Sequence, residues 1–330
     1  MTFSASTQAE IDKLYKGRKH VDLSIGILKN GSREYVHLGP DGKPKDGPME
    51  VYPVGSICKL FTASLLARYL SLGKLDLMAP INRYIEGLPD RYYPNLERLA
   101  THTSGFKTQP YNFLTTLPFL IKMNRDGGLF HTNPFRGYPD KAGMIKIIKD
   151  TVLEDKEYKF VYSNIGMSIL GYIAGEASGE GFWDGLTKYI KEDLGLENTF
   201  LGNVDMTGYD RKDNPCRCWQ WQKEDVIAPA GALNSTVEDL LSFAVKNIDG
   251  SLPYLAQCHE IHGPCEKNAM SGLAWRLEKD IPVSWHTGAA GAFNAYLGLN
   301  RETGNAVAVA VNYGLVNAEE IGFSILRNDM

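Results

Sequence analysis

The sequence has 330 residues, of which 43% are hydrophobic, so the chain can bury a large core but is short for three ordinary domains. Its 35 basic and 39 acidic residues are mixed along the chain and give a formal net charge of −4. This balance creates no long-range positive field, which argues against nucleic acid and anionic membranes as partners.

The N-terminal residues 1–12 are polar and contain neither the basic nor the apolar segment of a secretory signal. No run of about 18 apolar residues occurs further on, so we expect no transmembrane helix. As written, the sequence predicts a cytoplasmic protein, but a trimmed form of an exported protein would have the same sequence.

The first predicted elements are a helix and a β-hairpin, whose strands at 22–29 and 34–38 are joined by a turn at Asn30 and Gly31. Helical periodicity then dominates from about 60 to 200. Loops rich in Pro, Gly, Asn and Thr interrupt it at 87–96, 101–112 and 124–140.

The C-terminal third contains three segments with strand alternation and one final helix. The strands are predicted at 281–286, 292–300 and 306–312, and the helix at about 317–327. Strands at both chain ends with helices between them predict an α/β (α+β) fold, in which the two termini complete one antiparallel sheet flanked by helices. We expect one unit over 1–330, with an α/β subdomain formed by 1–60 and 215–330 and a mainly helical subdomain formed by 61–214.

Ser56 and Lys59 are the first candidate site residues. On a helix, a spacing of three places both side chains on one face, where the lysine can activate the hydroxyl as a nucleophile. The same spacing recurs at Ser71 and at Ser104, but only Ser56 follows a short apolar segment and begins a long helical pattern. A helix N-terminus favours a developing oxyanion; the alternative is an N-cap serine beside a solvated lysine.

Tyr162 and Asn164 form the second candidate group, because they lie in a loop directly before a predicted helix. From there a phenol can transfer a proton and an amide can contact a substrate. Tyr93 and Asn95 have the same spacing but lie in a proline-interrupted turn. Taken alone, Tyr162 is more often a tyrosine whose ring is anchored in the core.

The third candidate group is formed by His286, Thr287 and Gly288, at the predicted end of an apolar strand. The small residues that follow, beginning with Ala289, allow a ligand to approach the backbone closely. A single histidine at a strand end is more often structural, so this group indicates an active site only together with the serine and tyrosine groups.

Five cysteines are too few for a dense disulfide framework, and mostly reduced thiols are the expected state. Cys216, Cys218, Cys258 and Cys265 could supply zinc ligands together with nearby histidines. The Cys-x-Cys spacing is tighter than that of usual structural zinc sites, which favours buried thiols or one disulfide. We therefore predict no metal and no cofactor.

In this order, the serine, tyrosine and histidine groups resemble the serine β-lactamase and penicillin-binding protein superfamily. The resemblance is to the branch of class C β-lactamases, D-alanyl-D-alanine carboxypeptidases and family VIII esterases. The loop around His102 and the segment 229–240 resemble further segments of that branch, so the likeness runs from about residue 20 to 312. It implies a β-lactamase/transpeptidase-like fold with the active site between the two subdomains.

The resemblance implies that Ser56 attacks a carbonyl carbon to form an acyl-enzyme, while Lys59 and Tyr162 share the proton transfers. A lysine ammonium near the phenol would lower the pKa of Tyr162, and either residue could be the immediate base. Asn164 is expected to orient Lys59 and the substrate.

The oxyanion hole is expected to consist of the backbone N–H groups of Ser56 and Ala289, with Thr287 and Gly288 at the substrate-binding edge. His286 stands where most class C β-lactamases have lysine, and its charge is expected to depend on pH near neutrality, so a permanent cation for a substrate carboxylate is no longer guaranteed. This difference weakens the β-lactamase interpretation.

The predicted function is a serine hydrolase acting through an acyl-enzyme on small amides or esters, of the D-amino-acid peptide or carboxylic ester type. The alternatives are a class C-like β-lactamase and a penicillin-binding sensor that stays acylated. The substrate is a small molecule or a short peptide, and the sequence predicts no oligomeric state. Trp219, Trp221 and Tyr111 are candidates for an apolar acyl pocket, with ordinary surface packing as the alternative.

Overall fold

The computed structural model describes residues 2–47, 50–107, 128–136, 139–266 and 268–330. Within these residues the α-helices are α1 (Ala5–Tyr15), α2 (Cys58–Ser71), α3 (Leu96–Ala100), α4 (Lys141–Asp150), α5 (Asn164–Ser178), α6 (Gly181–Glu192), α7 (Val237–Ile248) and α8 (Ala318–Asn328). Short 3₁₀ segments lie at Ile81–Arg83, Gly128–Phe130, Ala228–Ala230 and Pro253–His259. None of the described helices is both long and apolar enough to cross a bilayer.

The main sheet is antiparallel and contains strands from both ends of the chain. Its strands are β1 (Leu23–Lys29), β2 (Ser32–Leu38), β8 (Gly263–Pro264), β9 (Ala269–Ser271), β10 (Arg276–Glu278), β11 (Val283–Ala290), β12 (Phe293–Asn300) and β13 (Ala306–Val311). Their order is β2-β1-β13-β12-β11-β10-β9-β8, and Leu23 pairs with Val311. The predicted fold class, with a sheet completed by the two chain ends, is confirmed.

The predicted hairpin at the start of the chain is present. Asn30 and Gly31 join β1 to β2 with φ angles of 51° and 79°. Two successive left-handed residues are what a two-residue hairpin turn needs, and Asn-Gly supplies them at low cost.

Strand β13 is buried on both faces, so its sequence of alternating alanine and valine has no polar side. The valines at 307, 309 and 311 pack with α1 and α8, whereas the alanines at 306, 308 and 310 belong to the larger core that includes α2 and α7. Because successive strand residues point to opposite faces of the sheet, the valines lie on one face and the alanines on the other. The small alanine side chains allow helices to pack closely against their face.

A smaller sheet brings the segment before Ser56 to the main sheet. Its strands are β3 (Tyr52–Gly55), β4 (Phe200–Leu201) and β7 (Leu233–Ser235), in the order β3-β7-β4, and β3 also packs against β11 and β12. Gly55 has a φ of 49°, and a Cβ there would lie 2.5 Å from the carbonyl oxygen of Ala289. Only glycine permits this approach, which places Ser56 beside the strand that carries His286.

Two details differ from the sequence-based expectations. Strand β11 does not end at the His286 motif but continues through it to Ala290, because β12 pairs with β11 along its full length. The end of the helix-rich middle also contains a hairpin, formed by β5 (Thr207–Tyr209) and β6 (Pro215–Arg217). The proposed subdomain boundaries stay a prediction, and parts of the predicted loops at 101–112 and 124–140 lie outside the described residues.

Candidate active site

Ser56 and Lys59 lie in contact at the start of α2. Ser56 occupies the turn directly before the helix, and Lys59 Nζ lies 2.9 Å from Ser56 Oγ. The same Nζ donates a hydrogen bond of 2.7 Å to the carbonyl oxygen of Ala230. Lys59 is fully buried, and this burial lowers its pKa to about 7. A substantial fraction of Lys59 is therefore a neutral amine near neutral pH.

The turn Ala228–Ala230 is held against α2 by three side chains. Cys58 Sγ contacts the carbonyl oxygen of Ala228 at 3.4 Å, and Thr62 Oγ1 donates to that of Pro229 at 2.9 Å. The third of these contacts is the hydrogen bond from Lys59 Nζ to the Ala230 carbonyl oxygen. Burial raises the pKa of the Cys58 thiol to about 12, so Cys58 is a packed thiol under the helix.

Tyr162 lies next to the lysine, with Lys59 Nζ 4.7 Å from the centre of its ring. The expectation that this lysine lowers the pKa of Tyr162 is wrong. Burial raises the pKa of the phenol, and the hydrogen bond with Ser56 only partly opposes this effect. Tyr162 is therefore a neutral phenol in the resting site.

His102 fixes the segment that carries Tyr162, a role that the sequence interpretation did not assign to it. Val161 N donates to the His102 carbonyl oxygen at 2.9 Å, and Ser163 N donates to His102 Nδ1 at 3.2 Å. The histidine ring lies 4.6 Å from the Tyr162 ring, and burial lowers the pKa of His102 to about 3. The uncharged His102 ring therefore packs against the phenol, while its Nδ1 and the His102 carbonyl oxygen each hold one backbone N–H beside Tyr162.

Ser163 anchors the same segment to the following helix. Its Oγ accepts a hydrogen bond of 2.9 Å from Gly166 N and donates one of 2.8 Å to the Lys107 carbonyl oxygen. Ser163 is therefore the N-cap of α5, and Asn164 is the first residue of that helix. Asn164 and Ser56 line the same cavity, which is described below.

His286 lies in β11, and its ring centre is 6.1 Å from that of Tyr162. Its Nδ1 donates to the carbonyl oxygen of Thr287 at 2.5 Å, which places the proton of a neutral ring on Nδ1. Burial, with the charges of Arg276 and Lys59, lowers the pKa of His286 well below its usual range. His286 is therefore uncharged at neutral pH and offers no cation to a substrate.

A cavity of about 230 Å³ opens beside the nucleophile. The described residues that line it are Ser56, Pro134, Phe135, Asn164, Trp219, Trp221, Ile227, Ala230, Gly231 and Ala289. Trp219 and Trp221 lie where the sequence interpretation expected an apolar pocket, whereas Tyr111 lies outside the described residues. Phe135 and Ile227 were not expected, because no spacing rule connects an isolated loop residue to a serine far along the chain.

The structure brings together the predicted residues of all three groups. Ser56, Lys59, Tyr162 and His286 surround one small volume, while Asn164 and Ala289 line the cavity. The backbone of Gly288 packs against β3, and the carbonyl oxygen of Thr287 accepts the hydrogen bond from His286 Nδ1. The catalytic roles of these residues stay predictions.

The cysteines do not form the zinc site considered above. All five are free thiols, and within the described residues none belongs to a group of three potential ligands. Cys216 Sγ instead contacts His131 Nε2 at 3.5 Å. The one such group found in the described part of the chain consists of Asp22, His37 and Glu50, and the ammonium of Lys45 bridges its two carboxylates.

The fold and this site together place the chain in the β-lactamase and penicillin-binding protein class. A sequence model of the family described as Beta-lactamase matches residues 8–321, and the chain belongs to this family. The resemblance inferred from the three motifs is thereby confirmed.

Curated relatives and a solved structure agree with this assignment. A protein named Beta-lactamase from Providencia stuartii is 26% identical over 260 residues, which are 74% of this chain and 61% of that protein, so the chain spans less than two thirds of that relative's length. A Beta-lactamase from Pseudomonas fluorescens is 22% identical over 360 aligned positions, covering 94% of each chain. The crystal structure of a Beta-Lactamase/D-Alanine Carboxypeptidase from Pseudomonas syringae has a TM-score of 0.74 at 20% identity and covers 97% of both chains, a likeness of fold.

Proposed function

We propose that this protein hydrolyses small carboxylic esters or amides through an acyl-enzyme on Ser56. The observation that carries the proposal is the contact of 2.9 Å between Ser56 Oγ and the buried Lys59 Nζ. A buried amine with a pKa of about 7 is suited to remove the serine proton near neutral pH, because it is partly unprotonated there.

In the first step, Ser56 Oγ attacks the acyl carbonyl carbon and its proton passes to Lys59 Nζ. The hydrogen bond to the Ala230 carbonyl directs one N–H of the amine away, which leaves its lone pair for the serine hydroxyl. The carbonyl oxygen becomes an oxyanion, for which the backbone N–H groups of Ser56 and Ala289 are the proposed donors. A preorganised donor of this kind is typically worth about 3 kcal/mol in the transition state.

In the second step, the bond from the acyl carbon to the leaving group breaks and the leaving group takes a proton. Tyr162 is the proposed donor, because its phenol is neutral and hydrogen-bonded to Ser56. The proton that Lys59 took from Ser56 then passes to the Tyr162 phenolate and restores the neutral phenol. Water then attacks the acyl carbon of the acyl-enzyme and gives a proton to Lys59. The bond from this carbon to Ser56 Oγ breaks, Ser56 takes a proton from Tyr162, and the acid is released.

A β-lactamase is the second candidate, because the curated relatives from Providencia stuartii and Pseudomonas fluorescens carry that name. Against it stands the uncharged His286, since β-lactams carry a carboxylate that a cationic residue would bind.

Intact-mass spectrometry tests the proposal. The protein is mixed with p-nitrophenyl butyrate and, separately, with a fluorescent penicillin, and adduct and product are followed over time. We expect a transient adduct on Ser56 with continuing product from the ester. A stable stoichiometric penicillin adduct would instead support a sensor, continuing penicillin hydrolysis would support the β-lactamase, and absence of any Ser56 adduct would contradict the acyl-enzyme.

A further inference from the structure

Three aromatic side chains form one wall of the cavity beside Ser56. Trp221 is buried, and Trp219 and Phe135 are half-buried. The ring centres of Phe135 and Trp219 are 5.9 Å apart with an interplanar angle of 73°, and those of Trp219 and Trp221 are 6.5 Å apart at 64°. Neighbouring rings at such angles offer both faces and edges, which are the surfaces that another aromatic ring prefers.

Two asparagines hold the backbone of this aromatic wall through side-chain hydrogen bonds. Asn133 Oδ1 accepts from Phe135 N at 2.9 Å, while its Nδ2 donates to the Gln220 carbonyl oxygen at 2.9 Å, so it ties both aromatic segments together. Asn203 Oδ1 accepts from Trp221 N at 2.7 Å, and its Nδ2 contacts the Trp221 carbonyl oxygen at 3.3 Å. The wall is therefore held in place before a ligand binds, which lowers the entropy cost of binding.

The lining of the cavity is also uncharged within the described part of the chain. The described residues that line it include no charged side chain, and Lys59 behind Ser56 already contacts Ser56 Oγ and the Ala230 carbonyl oxygen. A carboxylate on the acyl group would lose water against the aromatic wall without gaining an ionic partner. An uncharged acyl group meets no such penalty.

The volume of the cavity limits the size of its occupant. Ligand pockets for drug-sized molecules measure about 300–1,000 Å³, whereas an apolar cavity of about 150 Å³ is enough to bind benzene. At about 230 Å³, this cavity accommodates one ring with a short linker. Because Ser56 and Ala289 line the same cavity, an acyl group on the serine can place its substituent against the wall.

We propose that this cavity is an acyl-group site that selects compact, uncharged aromatic acyl groups, held against Phe135, Trp219 and Trp221. The inference rests on the proposed hydrolase function and names its substrate class on the acyl side. Asn133 and Asn203 act as positioning residues for this site.

The test compares p-nitrophenyl esters that share a leaving group and differ only in the acyl group: acetate, phenylacetate and the monoester of glutarate. We expect kcat/KM for phenylacetate to exceed that for acetate by about 10-fold or more, and the charged glutarate monoester to fall below acetate. Equal values for phenylacetate and acetate, or a preference for the charged ester, would overturn the inference while leaving the acyl-enzyme intact. If no ester, acetate included, forms an adduct on Ser56, the proposed function and the inference both fail.

Variants separate specificity from folding. Trp219→Ala should remove most of the phenylacetate preference, measured as the ratio of kcat/KM for phenylacetate to that for acetate, because only the phenylacetyl group is long enough to reach the wall. Trp183→Ala is the matched control, since Trp183 is another half-buried tryptophan but lies in α6 outside the cavity. If Trp219→Ala keeps the phenylacetate-to-acetate ratio of the wild type, the aromatic wall does not select the acyl group.

Asn203→Ala should lower the same phenylacetate-to-acetate ratio although Trp219 and Trp221 are both present. An unchanged ratio would show that Asn203 does not position the wall.

Discussion

Gly288 of β11 lies directly against Val54 of β3, so closely that a Cβ on Gly288 would overlap the Val54 carbonyl oxygen. Val54 is two residues before Ser56 and Gly288 is two residues after His286. This contact therefore fixes the distance between the strand that presents the nucleophile and the strand that presents the histidine.

Replacing Gly288 should consequently damage both stability and activity. We expect Gly288→Ala to lower the free energy of unfolding by about 1–3 kcal/mol, because the added methyl group pushes β3 and β11 apart. Urea unfolding measures this change, and ester turnover should fall with it. Gly39→Ala is the control, since a Cβ there has only ordinary neighbours at 3.9 Å; equal effects of the two variants would contradict the packing argument.

Ser56→Ala should abolish covalent labelling by a serine-directed acylating probe while preserving the fold, because the variant lacks the hydroxyl that attacks. Intact mass and circular dichroism measure the two properties. Ser71→Ala provides a matched control, since Ser71 also stands three residues before a lysine but lies at the end of α2. Labelling that persists in Ser56→Ala would place the nucleophile elsewhere.

The acylation rate should rise with pH through about 7 and level off above it, because the proposed base is the unprotonated Lys59 and its pKa is lowered to about 7 by burial. Single-turnover measurements with p-nitrophenyl acetate between about pH 5.5 and pH 9 test this profile. His286 is not expected to contribute an inflection, since its pKa lies well below its usual range. A rate that is constant over this range, or that falls with pH, is incompatible with Lys59 as the base.

Tyr162→Phe should slow acylation by orders of magnitude for alkyl esters and amides but much less for p-nitrophenyl esters. A nitrophenolate departs without a proton, whereas an alkoxide or amine needs the one that neutral Tyr162 is proposed to donate. Tyr93→Phe is the control, because Tyr93 is buried and has the same spacing to an asparagine. An equal loss for good and poor leaving groups would show that Tyr162 does not protonate the leaving group.

Lys59→Met should stabilise the protein, and more so at about pH 7 than at about pH 10. The pKa of Lys59 is about 7 in the folded state and about 10.4 in an unfolded chain, so the unfolded chain binds more protons within this window and wild-type stability rises with pH there. Removal of the amine should add about 1–3 kcal/mol near pH 7 in urea unfolding, a gain that shrinks toward pH 10. The same gain at both pH values would show that Lys59 titrates normally in the folded protein.

The sequence by itself determined the fold class and that the serine, tyrosine and histidine groups meet. Hairpin chemistry at Asn30 and Gly31 and the strand alternation near the C-terminus predicted the sheet, since these signals are local. The order of the serine, tyrosine and histidine groups identified the family. Local spacing brought Ser56 and Lys59 together because the turn at Ser56 leads directly into α2, where the Lys59 N–H donates to the Ser56 carbonyl oxygen.

Only the tertiary structure decided the protonation states and the shape of the site. Tyr162 carries its proton and Lys59 partly loses its own because burial is the largest effect on both pKa values, and burial is a property of the whole packed molecule. The wall formed by Phe135, Trp219 and Trp221 depends likewise on contacts between loops far apart in the chain. Sequence periodicity encodes which face of an element is apolar, but it does not encode which distant segments will exclude water from a particular amine or phenol.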